Sequence, residues 1–230
     1  PGWGFRPLRG AATASVPDAA PEKGAPRTSL SQGFKTVFAS PLLFMLLSIM
    51  FLTNFGYGAL DPLESFFYRD VLHVGVEWMG ILSSASGVGA VVGAFIVMRL
   101  PSRLINLKAL LAALALMGVG CLVYVGTPYV LVSLAGQIAL GVAFGAINPL
   151  HSTIVQTSVP LDQLGRVNSV MLFGNTFAGV APLAIAPWLA SVFGVQGTLL
   201  LASCIVTVVP LLLLLFGRGA IERVSDSSHR

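Results

Sequence analysis

Asn54, Tyr57 and Asp61 stand at i, i+3 and i+7 of one apolar run, so a helix through them carries all three on one face. An amide, a phenol and a carboxylate aligned in this way can line a path for a polar solute. Alternatively, Asp61 simply ends a helix at the water interface before Pro62. Gln137 and Asn148 are eleven residues apart and almost in phase, with Gly141 between them, and Asn168, Asn175, Gly179 and Pro182 form a third stripe. Lipid satisfies neither amides nor carboxylates, so such stripes imply a cavity or a polar partner. Lining of a translocation path and hydrogen bonding between helices both meet that need.

Other chemistries find no support. His73, His151 and His229 are far apart, and no His-Glu-x-x-His pair is present to hold a metal ion. Cys121 and Cys204 lie in separate apolar segments without ligand spacing, so no metal site is expected. There is no G-x-S-x-G elbow and no Walker loop. Residues 86–95, SGVGAVVGAF, nearly spell a dinucleotide fingerprint, but Val92 stands where its third glycine is needed. On a helix, Gly80, Ser83, Ser84, Gly87, Ala90 and Ala94 gather on one face, and Ala85, Gly89 and Gly93 on the other. Small residues let helix backbones approach closely, so both faces read as packing surfaces. Neither an enzyme nor a bound cofactor is expected.

These residues need a membrane around them. The chain is 55% hydrophobic and 10% charged with a mean hydropathy of +0.86, whereas soluble domains carry about 25% charged residues. A span takes about 20 apolar residues. Charge-free runs predict six helices near 38–60, 78–98, 106–125, 129–150, 167–190 and 197–216, with breaks at Gly126-Thr127-Pro128 and around Gly194. The fold class is therefore an all-α polytopic membrane protein.

Six spans put both ends on one side. That side would hold every basic residue except Arg69, which lies opposite beside Asp61, Glu64, Asp70 and Glu77. Basic residues mark the cytoplasmic side, so both termini are expected there. The net charge of +4 is thus explained by orientation and not by nucleic acid. Residues 1–33 hold five of the fourteen prolines and no signal-peptide run, and read as a disordered cytoplasmic segment. The bundle is expected over 34–217 and a cytoplasmic tail over 218–230. No Asp, Glu, Lys, Arg or His lies deep in a predicted span, so an ion-coupling group would be Asp61 or Glu64 at the outer mouth, or a residue of a partner.

Residues 58–65, GALDPLES, and 145–152, GAINPLHS, agree at five of eight positions with an offset of 87. The same offset sets Gly87 on Gly174. Repeats separated by three spans are inverted, the plan of many secondary transporters, so a 3+3 inverted repeat is expected.

With VPLDQLGRVNSV (159–170) running into GNTFAGVAPLAIAPW (174–188), the chain resembles the C-terminal half of a major facilitator superfamily transporter, in the bacterial siderophore- and macrolide-efflux branch. RLPSRLINLKAL (99–110) stands where that family repeats its basic loop motif; it retains Arg99 and Arg103 but lacks the glycine and aspartate. Asp162 and Arg166, at i and i+4, flank the other predicted cytoplasmic loop as gate residues or solvated charges. The resemblance implies export of a small amphiphilic molecule across a bacterial cytoplasmic membrane by alternating access. It further implies a partner bundle, either an N-terminal six-helix half or a second copy, with the second and fifth spans at the interface. A six-span scaffold without a transport cycle is the competing reading.

Overall fold

A computed structural model describes residues 30–216; the predicted tail and all but the last few residues of the predicted N-terminal segment lie outside them. The described residues are helical throughout, with no strand. The elements are α1 (Leu30–Ala39), α2 (Pro41–Tyr57), α3 (Asp61–Asp70), α4 (Val76–Arg99), α5 (Leu107–Val125), α6 (Val130–Ser158) and α7 (Leu161–Phe216). A short 3-10 turn, Ser102–Leu104, joins α4 to α5.

Five stretches are long and apolar enough to cross a membrane: Pro41–Asp70, Glu77–Arg99, Leu107–Val125, Val130–Ser158 and Leu161–Phe216. The last has 56 residues. A straight helix of that length would run about 84 Å, nearly three times the hydrocarbon core. Gly194 breaks it, with φ 73° and ψ 167°, a conformation open to glycine because it has no β-carbon. We call the two parts α7a (161–193) and α7b (195–216). They lie side by side, since 182–189 and 201–205 face one another across a small apolar gap beside Phe55 and Ala59. Gln196 donates to the Val125 carbonyl at 3.0 Å and ties this hinge to the end of α5.

Helix starts follow local chemistry. Ser40 accepts from the Leu43 N–H and is followed by Pro41, whose fixed φ suits a first turn. Asn106 caps α5 by accepting from the Ala109 N–H at 3.0 Å. Three predicted boundaries differ from the structure, one being the fifth span, which begins at Leu161 and not near 167. The first span does not end at Asp61: the chain tightens through Gly58–Leu60 and resumes as α3, with Pro62 in its first turn. The fourth span continues past Pro149 to Ser158. Before the first span, α1 buries Val37 and sets Gly33 against the Arg166 carbonyl at the start of α7a.

Two clusters make the core. One, near α1, joins Leu42, Leu46, Leu110, Leu114, Val155 and Val167; the other, near α3, joins Leu63, Phe67, Tyr68, Cys121, Tyr124 and Leu199. Glycines set the closest approaches. Gly89 and Gly93 lie against the Ile138 and Val142 carbonyls of α6, while Gly141 and Gly145 lie against those of Ser86 and Ala90 on α4. Gly58 meets the Gly179 carbonyl of α7a, and Gly174 faces the Leu47 side chain. Gly80 and Gly87 meet nothing within 4 Å. Pro182 is buried inside α7a.

This geometry separates two substitutions. Gly93→Leu forces α4 from α6 and is expected to cost at least the ~1–3 kcal/mol of an overpacked core. Gly87→Leu should leave the stability of the bundle within about 0.5 kcal/mol. Thermal unfolding of the purified variants in detergent reads both; equal losses would contradict the α4–α6 packing.

Candidate functional site at the α3 end of the bundle

The densest polar grouping is built on Glu64, one turn into α3. Its Oε1 is 2.7 Å from the Tyr68 hydroxyl, 2.9 Å from the Tyr124 hydroxyl and 3.3 Å from Nε2 of Gln137. Thus α3, α5 and α6 all send a neutral donor to one carboxylate oxygen. The Tyr124 hydroxyl also lies 3.0 Å from that of Tyr68. Tyr124 has one proton, so it donates either to Glu64 or to Tyr68, while Tyr68 donates to Glu64. Donors from three helices meeting at one oxygen make this grouping the main polar tie among them.

Apolar packing backs the cluster, with Glu64 itself half-buried. Phe67 is fully buried and meets the Tyr124 ring edge-on at a centroid distance of 5.2 Å. Leu63, Cys121 and Leu140 belong to the same buried cluster. Ser133 donates to the Tyr124 carbonyl at 2.8 Å and fixes α5 against α6 beside the site. Tyr57 packs against both core clusters and bridges the α2 and α3 levels.

The path residues expected from the sequence divide. Gln137 is buried and joins the Glu64 cluster. Asp61 is exposed in the first turn of α3. Asn54 donates back to the Met50 carbonyl of its own helix at 2.8 Å. Asn148 and Asn168 are exposed, and Asn175 has a buried Oδ1 with no protein hydrogen-bond partner, as does Nε2 of His151. No hydrogen bond joins Asn54, Asn148, Asn168 and Asn175 to one another among the described residues. Tyr68 and Tyr124 belong to this candidate site and were not singled out in the sequence. At 56 residues apart they carry no joint periodic signal.

The charges at the opposite end are arranged otherwise. Arg99 lies over the Phe95 ring at 4.7 Å, and Arg103 is exposed on the 3-10 turn. Arg166 donates to Gln32 of α1 at 3.3 Å, and Thr36 of α1 donates to Gln163 at 3.3 Å. Asp162 is exposed at the start of α7a. No group of three or more His, Cys, Asp or Glu side chains could hold a metal ion among the described residues.

A bundle of long apolar helices with polar groups enclosed near one end is an integral membrane protein. The model of the Major Facilitator Superfamily matches residues 8–182 and 46–229, and the chain belongs to that family of membrane transporters. It is similar to the uncharacterized MFS-type transporter YfiS of Bacillus subtilis (strain 168), 28% identical over 198 residues. That alignment covers 84% of this chain and 48% of the relative, so the chain spans about half the length of the protein it matches. No solved structure matches the chain significantly.

If Glu64 is the common acceptor, its donors lose their value together. Tyr124→Phe is expected to cost about 0.5–1.5 kcal/mol alone and markedly less when Glu64→Leu is already present. A double-mutant cycle by reversible denaturation in mixed micelles measures this, and full additivity would break the assignment.

Proposed function

We propose that the chain is the C-terminal half of a secondary active transporter that exports a small amphiphilic molecule by alternating access. It sits in a bacterial cytoplasmic membrane with both ends cytoplasmic, which puts the α1 end inside and the α3 end outside. Its partner is an N-terminal six-helix half, with a second copy of this chain as the other candidate.

The observation that carries this reading is the pattern of helix contacts. Number the spans one (α2–α3), two (α4), three (α5), four (α6), five (α7a) and six (α7b). Span one meets five through Gly58 and Gly179, and meets six through Gly56 against Ala202 and Val206. Span four meets two through Gly141 and Gly145, and meets three through Gly136 against Tyr124. Spans three and six meet through Gly118 and Thr207. Exchanging one, two and three for four, five and six leaves this pattern unchanged. That supports the inverted repeat expected from GALDPLES and GAINPLHS, and with it a carrier architecture.

The exposed faces support a partner bundle. Val88, Val91, Phe95 and Met98 of α4 and Phe173, Phe177 and Trp188 of α7a are exposed, and α4 has the least buried of the candidate spans. Such surfaces suit lipid and a second bundle, and α4 and α7a are the two spans expected at that interface.

The test is efflux from everted vesicles. Coexpression with an N-terminal six-span half should restore export of a lipophilic dye, and either half alone should leave it at background. Background export with every partner tried would favour a scaffold without a transport cycle.

A further inference from the structure

The helix α1 belongs to no span, and its three faces have different surroundings. Its ten residues make a helix of about 15 Å, half the thickness of the hydrocarbon core. Ser40 follows in an extended conformation and caps α2, so α1 ends before the first span begins. Helical spacing puts Gly33 and Val37 on one face, Phe34 and Phe38 on a second, and Gln32, Lys35 and Ala39 on a third. The first face is the docked one. Val37 is fully buried in the core cluster, and Gly33 lies against the Arg166 carbonyl and Val170 of α7a. Thr36 and Gln32 add hydrogen bonds with Gln163 and Arg166. The second face is uncovered. Phe34 and Phe38 are exposed with ring centroids 6.3 Å apart, and Phe38 continues at 5.4 Å to the exposed Phe44 in the first turn of α2. Three rings therefore form one row that runs from α1 onto a membrane-spanning helix.

The docking sets the depth of this row. α1 rests on the first turns of α7a and leads into the first turn of α2, and both are ends of membrane spans. The rings thus lie where the hydrocarbon core gives way to headgroups, with Phe44 on the core side. The face of α2 that holds Phe44 also holds Phe55, which borders the gap between α7a and α7b. That is the α7b side of the bundle, whereas a partner bundle is expected at α4 and α7a. Charge at this end is one-sided: among the described residues Lys35, Arg99, Arg103, Lys108 and Arg166 stand against Asp162. Lys35 is exposed, and α1 has no acidic residue.

We propose that α1 docks this end of the bundle onto an anionic lipid surface, with Phe34, Phe38 and Phe44 among the acyl chains and Lys35 at the headgroup phosphates. A row of exposed rings beside a face whose one charge is basic suits a helix lying in the plane of the interface, where apolar burial and attraction to anionic lipid add together. Left in water, the same rings would keep their apolar surface hydrated. The hydrogen bonds with Gln163 and Arg166 then tie the start of span five to headgroup depth. The inference needs the membrane, but neither transport nor a partner half.

Tryptophan fluorescence of the full chain in vesicles tests it. In a Trp3→Phe, Trp78→Phe, Trp188→Phe background, Phe38→Trp and Phe34→Trp serve as separate reporters, so a folding failure in one leaves the other. The vesicles are phosphatidylcholine mixed with phosphatidylglycerol, with either lipid brominated near the carbonyl end of its chains. Both reporters should lose fluorescence to the bromolipids and be shielded from aqueous iodide, whereas Gln32→Trp and Ala39→Trp should be quenched by iodide. At equal mole fraction the brominated phosphatidylglycerol should quench more than the brominated phosphatidylcholine. Lys35→Ala should reduce that preference by up to about fivefold, the worth of one basic residue near an anionic surface. Quenching of the reporters by iodide alone would put the row in water, and quenching by neither agent would put it under protein, such as an N-terminal half or a second copy. Either result overturns the inference, as does equal quenching by the two lipids or a preference unchanged in Lys35→Ala. Nothing is transported in this measurement. Bromolipid quenching with no export by any pairing of halves would therefore count against the transport reading and leave the docked helix in place.

Discussion

Backbone-to-backbone contact between helices is the constraint from which this bundle is built. Lipid tails are as apolar as leucine, so burying apolar side chains gives little net drive once helices are in the membrane, and close van der Waals packing takes its place. Gly89 and Gly93 on α4 and Gly141 and Gly145 on α6 provide it as two four-residue spacings facing each other, each glycine against a carbonyl of the other helix. On its other side α6 receives α5, where Gly120 lies against Leu140 and Gly136 against Tyr124. The fourth span is therefore clamped between the second and third, and its side chains have fixed positions. Gln137 can serve Glu64 because it sits on this clamped helix, one residue from Gly136.

Polar groups inside the bundle fall into two kinds for the same reason. Ser203, Thr207 and Thr198 are buried but donate to carbonyls four residues back along the chain, at 2.8, 2.6 and 2.9 Å. These bonds follow the helix wherever it goes and make no claim on neighbouring helices. The bonds to Glu64 are different, because two of the three come from other helices, and they persist only while α3, α5 and α6 keep their places. A carboxylate in this setting reports on helix arrangement in a way that serine and threonine cannot.

Much of the fold was legible because a membrane makes the hydrophobic signal one-dimensional. Charge-free runs located the spans, and the spacing of Gly89 and Gly93 identified a packing face before any neighbour was known. The break near Gly194 was legible from a glycine in a charge-free run too long for one crossing. What could not be read was anything set by pairs distant in sequence. Glu64 meets Tyr124 and Gln137 across 60 and 73 residues, so that pairing depends on how helices are arranged and leaves no local trace. Of the seven path candidates only Gln137 entered the cluster. Spacing tells which residues share a helix face, but not which neighbour that face meets. The first helix, α1, escaped because its ten residues are too few for a span and its neighbour, α7a, begins more than 120 residues later.

The two related segments carry the same proline with different outcomes. Pro62 and Pro149 occupy equivalent positions in GALDPLES and GAINPLHS, and each removes one backbone donor. In α6 the helix runs straight through Pro149 from Val130 to Ser158. There Gly145, one turn earlier, is seated on α4, and Leu150 is buried on the other side of the proline, so neighbours hold the helix on both sides of the missing bond. At Pro62 the flanks are alike: Gly58 is seated on α7a and Leu63 is buried. Asp61 and its counterpart Asn148 are both exposed, yet here the helix yields into a tightened turn over Gly58–Leu60. Packing beside the proline is thus the same in both copies and does not by itself set whether the helix continues. That difference breaks the internal symmetry of the bundle at one place, and it is there that span one acquires a ten-residue end segment that carries Glu64.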